Sequence, residues 1–172
     1  MTQRVELATV MDSLAIDAVI TGYAVAVDDA NWSGYRALFT PGGRADYRTA
    51  GGIEGPAAEV AGWLAETMRL FPVRQHLIVN RRLRLDRLDG NAGDRAALQA
   101  DYLNPMRLET VPDDIEADDT TADGAASGDG SRQPTEPNFF SGGRYAFGLM
   151  RTEDGWRISS VVVREKWRRT TL

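Results

Sequence analysis

Hydrophobic spacing changes character at Pro72, and that change limits the folds open to this chain more than any other feature. Before it, apolar residues recur at helical intervals; after it, they nearly alternate, as in strands half-buried on one face. Leu7, Val10, Met11, Leu14, Ala18, Tyr23 and Val27 mark one long helix over about 4–28. A short helix over about 31–39, carrying Trp32, Tyr35, Leu38 and Phe39, should stop before Pro41, and Gly42-Gly43 then turn the chain into a short strand, RADYRT. Pro56 opens a third helix with Val60, Trp63, Leu64, Met68 and Leu70 on its apolar side. The strands follow as two hairpins: VRQHLIVNRRLRLDRL with RAALQADYLNP, and NFFSGGRYAFGLMR with GWRISSVVVREKWRR. Helices first and a meander of strands afterwards predict an α+β fold, with three N-terminal helices packed on a curved, mostly antiparallel sheet.

The 172 residues fit one domain, expected to span 1–172. No uninterrupted apolar run of about 18 residues is present, so no membrane contact is expected. Cysteine is absent, which excludes disulfides, thiolate metal ligands and a cysteine nucleophile and leaves a cytoplasmic protein as the expectation. Between Pro112 and Pro137 eight acidic residues face Arg132 alone, a net −7 within a chain of −5, so the remainder carries +2. Near-neutrality of the folded part argues against a nucleic-acid footprint. The basic residues Arg164, Lys166, Arg168 and Arg169 read as a solvated edge. Residues 106–137 are rich in Asp, Thr, Gly, Ser and Pro and read as an acidic, flexible insertion between two strands, with a lid over a cavity as the alternative.

Three segments carry a resemblance: YAVAVDDANWSGYRALFTPGGRADYR, RQHLIVN and EDGWRISSVVVR. In this order they resemble the SnoaL-like, nuclear transport factor 2-like superfamily, which includes scytalone dehydratase, lindane dehydrochlorinase and polyketide cyclases. The resemblance implies a cone-shaped α+β barrel around a pocket. It places the catalytic aspartate of those enzymes on Asp28, four residues before Trp32, and their catalytic histidine on His76. Tyr47 matches a tyrosine that polarises substrate through water; Val27 stands where a second pocket tyrosine would be. Asn104 or Pro105 stands near a second histidine of the dehydratase, and Arg144 and Ala146 fall where it has serine and asparagine. Asp29 rivals Asp28, since neighbouring helix positions differ by about 100°. Tyr23, Trp32 and Trp156 could each be core or cavity wall.

His76 is the sole histidine, and a neutral imidazole is the natural general base near neutral pH. A carboxylate bonded to one ring nitrogen would fix its tautomer and stabilise the imidazolium. A lone histidine in a strand is often structural, so it is the joint match of Asp28 and His76 that points to chemistry. No GxSxG elbow, phosphate loop or helical H-x-x-x-H metal spacing occurs, and neither a metal nor a cofactor is expected.

The expected activity is a cofactor-independent lyase or isomerase, dehydratase- or cyclase-like, acting on a small apolar cyclic or polyketide-like molecule. His76 and Asp28 would be catalytic; Tyr47, Tyr23, Trp32, Asn104 and Arg144 would bind substrate. The alternatives are a non-catalytic ligand-binding or assembly module, or the small structural subunit of a ring-hydroxylating dioxygenase. Relatives associate, so a homo-oligomer, dimer or trimer, is expected.

Overall fold

The computed structural model describes residues 2–86, 89–109 and 135–171. The long helix α1 (Thr2–Asp28) leads into the short helix α2 (Trp32–Ala37) and strand β1 (Phe39–Asp46). A 3-10 turn (Arg48–Ala50), strand β2 (Glu54–Pro56), helix α3 (Ala57–Thr67) and a second 3-10 turn (Met68–Leu70) come next. The strands β3 (Leu77–Leu85), β4 (Arg95–Met106), β5 (Phe139–Thr152) and β6 (Gly155–Thr170) complete a six-stranded sheet in the order β2-β1-β6-β5-β4-β3. All neighbours are antiparallel except β1 and β6, which run parallel. The α+β cone expected from the sequence is the architecture found.

Helix α1 crosses the concave face of this sheet and presents Ile16, Ile20, Tyr23 and Val27 to the core at three- and four-residue steps. Its first half departs from the sequence reading. Leu7, Val10, Met11 and Leu14 are exposed, so the core stripe is offset from the one those residues suggested. By length and composition, Leu7–Asp28 is also apolar enough to cross a bilayer, which a count of uninterrupted apolar residues missed because Asp12 and Asp17 punctuate it. Here, its inner stripe is buried against the sheet.

Three other expectations change. The second helix ends at Ala37, and Phe39, Pro41, Gly42 and Gly43 belong to β1, whose register with β6 shifts between Phe39 and Arg44. Strand β6 lies between β1 and β5 only in its first half, where β1 pairs with residues 158–162. Its second half pairs with β5 alone, and Arg164, Lys166, Arg168 and Arg169 are exposed there, with Arg168 turned back toward Glu165. The sheet's outer face carries one apolar row, Leu77, Leu103, Gly142 and Trp167, paired strand to strand. Trp167 lies over Gly142, where any Cβ would collide with its ring.

Most of the expected insertion, 110–134, lies outside the described residues. Its roots are paired: the Arg107 N–H donates to Val73 O at 2.8 Å, and Glu109 N–H to Leu70 O at 2.8 Å. Asn138 accepts from Leu108 N–H at 2.7 Å and donates to Leu108 O at 3.0 Å.

Candidate active site

Helix α1 ends in a turn that sets the direction of its last carboxylate. Ala30 takes a left-handed conformation (φ 54°), and the Asn31 N–H reaches back to Ala26 O at 2.8 Å. A residue with a Cβ pays about 1 kcal/mol or more for that conformation. Asn31 then caps α2 by accepting from Gly34 N–H at 2.9 Å. This tight exit leaves Asp28 half-buried and facing the segment that enters β3, whereas Asp29 is exposed.

Asp28 grips residue 76 with both oxygens. Its Oδ2 accepts from the His76 backbone N–H at 3.0 Å, and its Oδ1 lies 2.6 Å from ring Nδ1. One carboxylate thus fixes the backbone and the ring together, and the His76 side chain is only 8 % exposed. Nε2 has no hydrogen-bond partner among the described residues, and His76 lines a cavity of about 230 Å³. Asp28 stands behind the ring, not in the cavity wall.

The same cavity is lined by Tyr23, Tyr47, Trp63, Asn104 and Tyr145, with Val27, Leu64, Met68, Phe71, Met106 and Phe139 supplying apolar surface. Tyr23 and Tyr47 share a close hydroxyl–hydroxyl bond, and Tyr35 stands 3.5 Å from the Tyr47 hydroxyl. Val27 does occupy the neighbouring helix position, but Tyr23, one turn earlier, brings a phenol to Tyr47. Burial, reinforced by the neighbouring phenols, pushes both hydroxyls well above their ordinary value, and burial lifts Tyr35 to about 12. These groups therefore remain neutral hydrogen-bond donors.

Strand register fixes the opposite wall. Leu77 pairs with Leu103, so His76 precedes and Asn104 follows that pair; Asn104 in turn pairs with Ser141. Tyr102, Ser141 and Glu165 also face inward: the Ser141 hydroxyl donates to Glu165 Oε2 at 2.8 Å and lies 3.3 Å from the Tyr102 hydroxyl. Arg168 Nε donates to Glu165 Oε1 at 3.1 Å, and its Nη2 donates to Ala50 O at 2.8 Å. Asn104 is buried, and its Oδ1 has no hydrogen-bond partner among the described residues.

Two of the expected binding residues are not brought to this cavity. Arg144 lies on the other face of β5, where Nε donates to Asp101 Oδ1 at 2.9 Å. Asp101 also accepts from Asn80 at 3.3 Å, and Arg144, Asn80 and nearby Lys166 hold its carboxyl below the usual range. Trp32 packs edge-on to Tyr35, 6.4 Å between ring centres, outside the cavity wall. The inward residues of β5 are the odd-numbered ones, Ser141 and Tyr145, and a one-residue phase error moves every side chain to the other face. Glu165 and Arg168 were missed because the β5–β6 register shifts between Gly142 and Gly143, placing residues three apart on one side. The glycine pair was the available signal. Among the described residues, no three His, Asp or Glu side chains gather as a metal site would require.

Residues 8–162 match the family model for the SnoaL-like domain. An uncharacterised protein of Mycobacterium tuberculosis is 30% identical over 152 residues, covering 88% of this chain and 84% of that protein. A hexachlorocyclohexane dehydrochlorinase superposes with a TM-score of 0.68 at 15% identity, over 97% of this chain and 93% of its own. A candidate scytalone dehydratase from Novosphingobium aromaticivorans gives 0.67 at 13% identity, over 100% and 93%. At these identities the structural likeness carries the fold.

Proposed function

Because the chain belongs to the SnoaL-like domain family, whose fold encloses the cavity described above, we propose that it is a cofactor-independent lyase working by proton transfer. Dehydration of a small, largely apolar, cyclic or polyketide-like β-hydroxy ketone is the reaction that suits the site best. The observation that carries this reading is the Asp28–His76 pair, 2.6 Å apart, with the far ring nitrogen directed away from the carboxylate in a mostly apolar hollow.

In this reading Nδ1–H is donated to Asp28, which leaves the Nε2 lone pair to take the proton on the carbon beside the carbonyl. The C–H electron pair moves into the ring as enolate, and the Tyr47 hydroxyl, sharing its bond with Tyr23, donates to the carbonyl oxygen as negative charge builds there. The enolate electrons then form the carbon–carbon double bond, the C–O bond breaks, and the departing oxygen collects the proton from the imidazolium to leave as water. Asp28 balances the transient ring charge. The apolar lining keeps bulk water from competing. The likeness in fold to a dehydrochlorinase and a candidate dehydratase supports elimination chemistry as the class. A dimer or trimer is part of the same proposal, supported by the exposed outer row of Leu77, Leu103 and Trp167 and testable by light scattering.

The test follows product absorbance, cyclohexenone from 3-hydroxycyclohexanone and 1-naphthol from 3-hydroxy-1-tetralone, together with exchange of the α-proton in D₂O by NMR. The protein should accelerate both over buffer, and His76→Ala should lower the rate by about 10²–10⁴-fold. A variant within tenfold of the unmodified protein, or no acceleration with either compound, contradicts the proposal.

A further inference from the structure

Helix α1 is apolar on two opposite sides, and the described residues cover only one of them. Ile16, Ile20, Tyr23 and Val27 are buried against the sheet. Leu7, Met11, Leu14, Ala18, Thr21 and Val25 advance by alternating steps of four and three residues, the spacing of a coiled-coil seam. At about 100° per residue, this second seam lies about 180° around the helix from the first. All six of its residues are exposed, and Leu7, Met11, Leu14 and Val25 are 62, 59, 61 and 50 % open. The Thr21 hydroxyl, the one polar group among them, already accepts from Arg81 at 3.1 Å. A helix apolar all round is a buried one, so the outer side calls for a partner.

The seam is graded in size, and the grading says what that partner is. Leu7, Met11 and Leu14 fill its first half; Ala18, Thr21 and Val25 fill its second. We infer that α1 packs against α1 of a second copy of this chain, antiparallel, about a two-fold axis level with residue 16. That arrangement sets Leu14 against Ala18, Met11 against Thr21 and Leu7 against Val25, a larger side chain facing a smaller one at every step. A parallel pair would set leucine on leucine and alanine on alanine, and the two helices would splay. Antiparallel packing also brings the exposed Asp29 to the positive N-terminal end of the partner helix, whereas a parallel pair brings Asp29 to Asp29. Charge argues against a lipid surface. From residue 7 to residue 29 the chain has four aspartates and no Lys or Arg, while helices that lie on membranes are rich in basic residues.

Disulfide trapping tests the contact and its direction, on a chain that has no cysteine of its own. In the antiparallel pair, like positions at 7 or at 25 lie about 27 Å apart along the axis, far beyond the roughly 6 Å between Cα atoms that a disulfide spans. The double variant Leu7→Cys/Val25→Cys should therefore oxidise to covalent dimers, and each single variant should remain single chains. Adding Leu14→Glu, at an exposed position, should keep the thermal midpoint and lower the yield of dimer about tenfold or more by placing charges in the seam. Trp167→Ser should leave the yield unchanged, so this contact and one through the outer row of the sheet fail independently. Crosslinking of either single variant, none in the double variant, or a yield indifferent to Leu14→Glu overturns the inference. Binding to phosphatidylcholine vesicles that Leu14→Glu abolishes would assign the face to lipid and overturn it equally.

Discussion

Two aspartates on the inner side of α1 sit 16 residues apart, about 24 Å along the helix, in opposite circumstances. Asp12 lies near the β5–β6 turn. Its Oδ1 accepts from Arg151 Nη2 at 2.6 Å and from the Trp156 indole N–H at 3.1 Å. Arg151 also donates to Asp94 at 3.2 Å and stacks over Trp156 with 4.8 Å to the ring centre. Asp94 accepts from the Asp89 and Gly90 backbone N–H groups at 3.1 and 3.0 Å. These principal groups answer one another, and no ligand is needed to complete them. Asp28 holds a histidine whose second nitrogen has no partner among the described residues, and His76 lines a cavity. A buried carboxylate alone therefore says little about function; the valences left open around it say more.

Substitutions at the two poles should separate along that line. Asp28→Asn reverses what the carboxylate offers to Nδ1 and favours the other tautomer, so turnover should fall about 10²–10⁴-fold with the thermal midpoint little changed. Asp12→Ala should do the opposite. Leaving Arg151 and the indole without their shared acceptor should cost about 3–5 kcal/mol by denaturant titration, while the folded fraction keeps its rate within about twofold. If Asp12→Ala lowers the rate of fully folded protein, or Asp28→Asn mainly unfolds it, the division between the poles is wrong.

A smaller effect concerns acid. The Asp89 backbone N–H, aided by Arg151 and the Gly90 N–H, holds the Asp94 carboxyl below its ordinary value. A lowered native value stabilises fully above the unfolded-state value, near 3.9, and this stabilisation is lost as pH falls toward the native value. Melting curves from pH 6 downward should therefore show an acid-side decline that Asp94→Asn flattens. An unchanged decline would remove Asp94 from the network.

The sequence made the dyad legible because each member was singular: one histidine in the chain, and one aspartate four residues before a tryptophan at a helix end. The helix period of α1 was legible too, but not its face, since apolar residues occur on two sides of its first half. What could not be read was strand phase. Bulges at Val79–Arg82 and at Gly142–Gly143 shift which residues look inward, and no count of alternating residues locates them. Hence Arg144 was expected at the cavity and lies outside, while Ser141 and Glu165 were unread and line it, and Arg168, read as a solvated edge, is exposed yet also borders the cavity. The unpartnered Asn104 oxygen could not be foreseen either, because an unmet hydrogen bond is a property of the folded surroundings.

With a single histidine, nitrogen-15 NMR of the imidazole yields one ring's signals and reads the central claim directly. In the neutral ring, the account requires the proton on Nδ1, donated to Asp28, with Nε2 bare and its resonance moving when 1-tetralol is added. A proton found on Nε2, or an Nε2 resonance indifferent to every cavity ligand that binds, would contradict it.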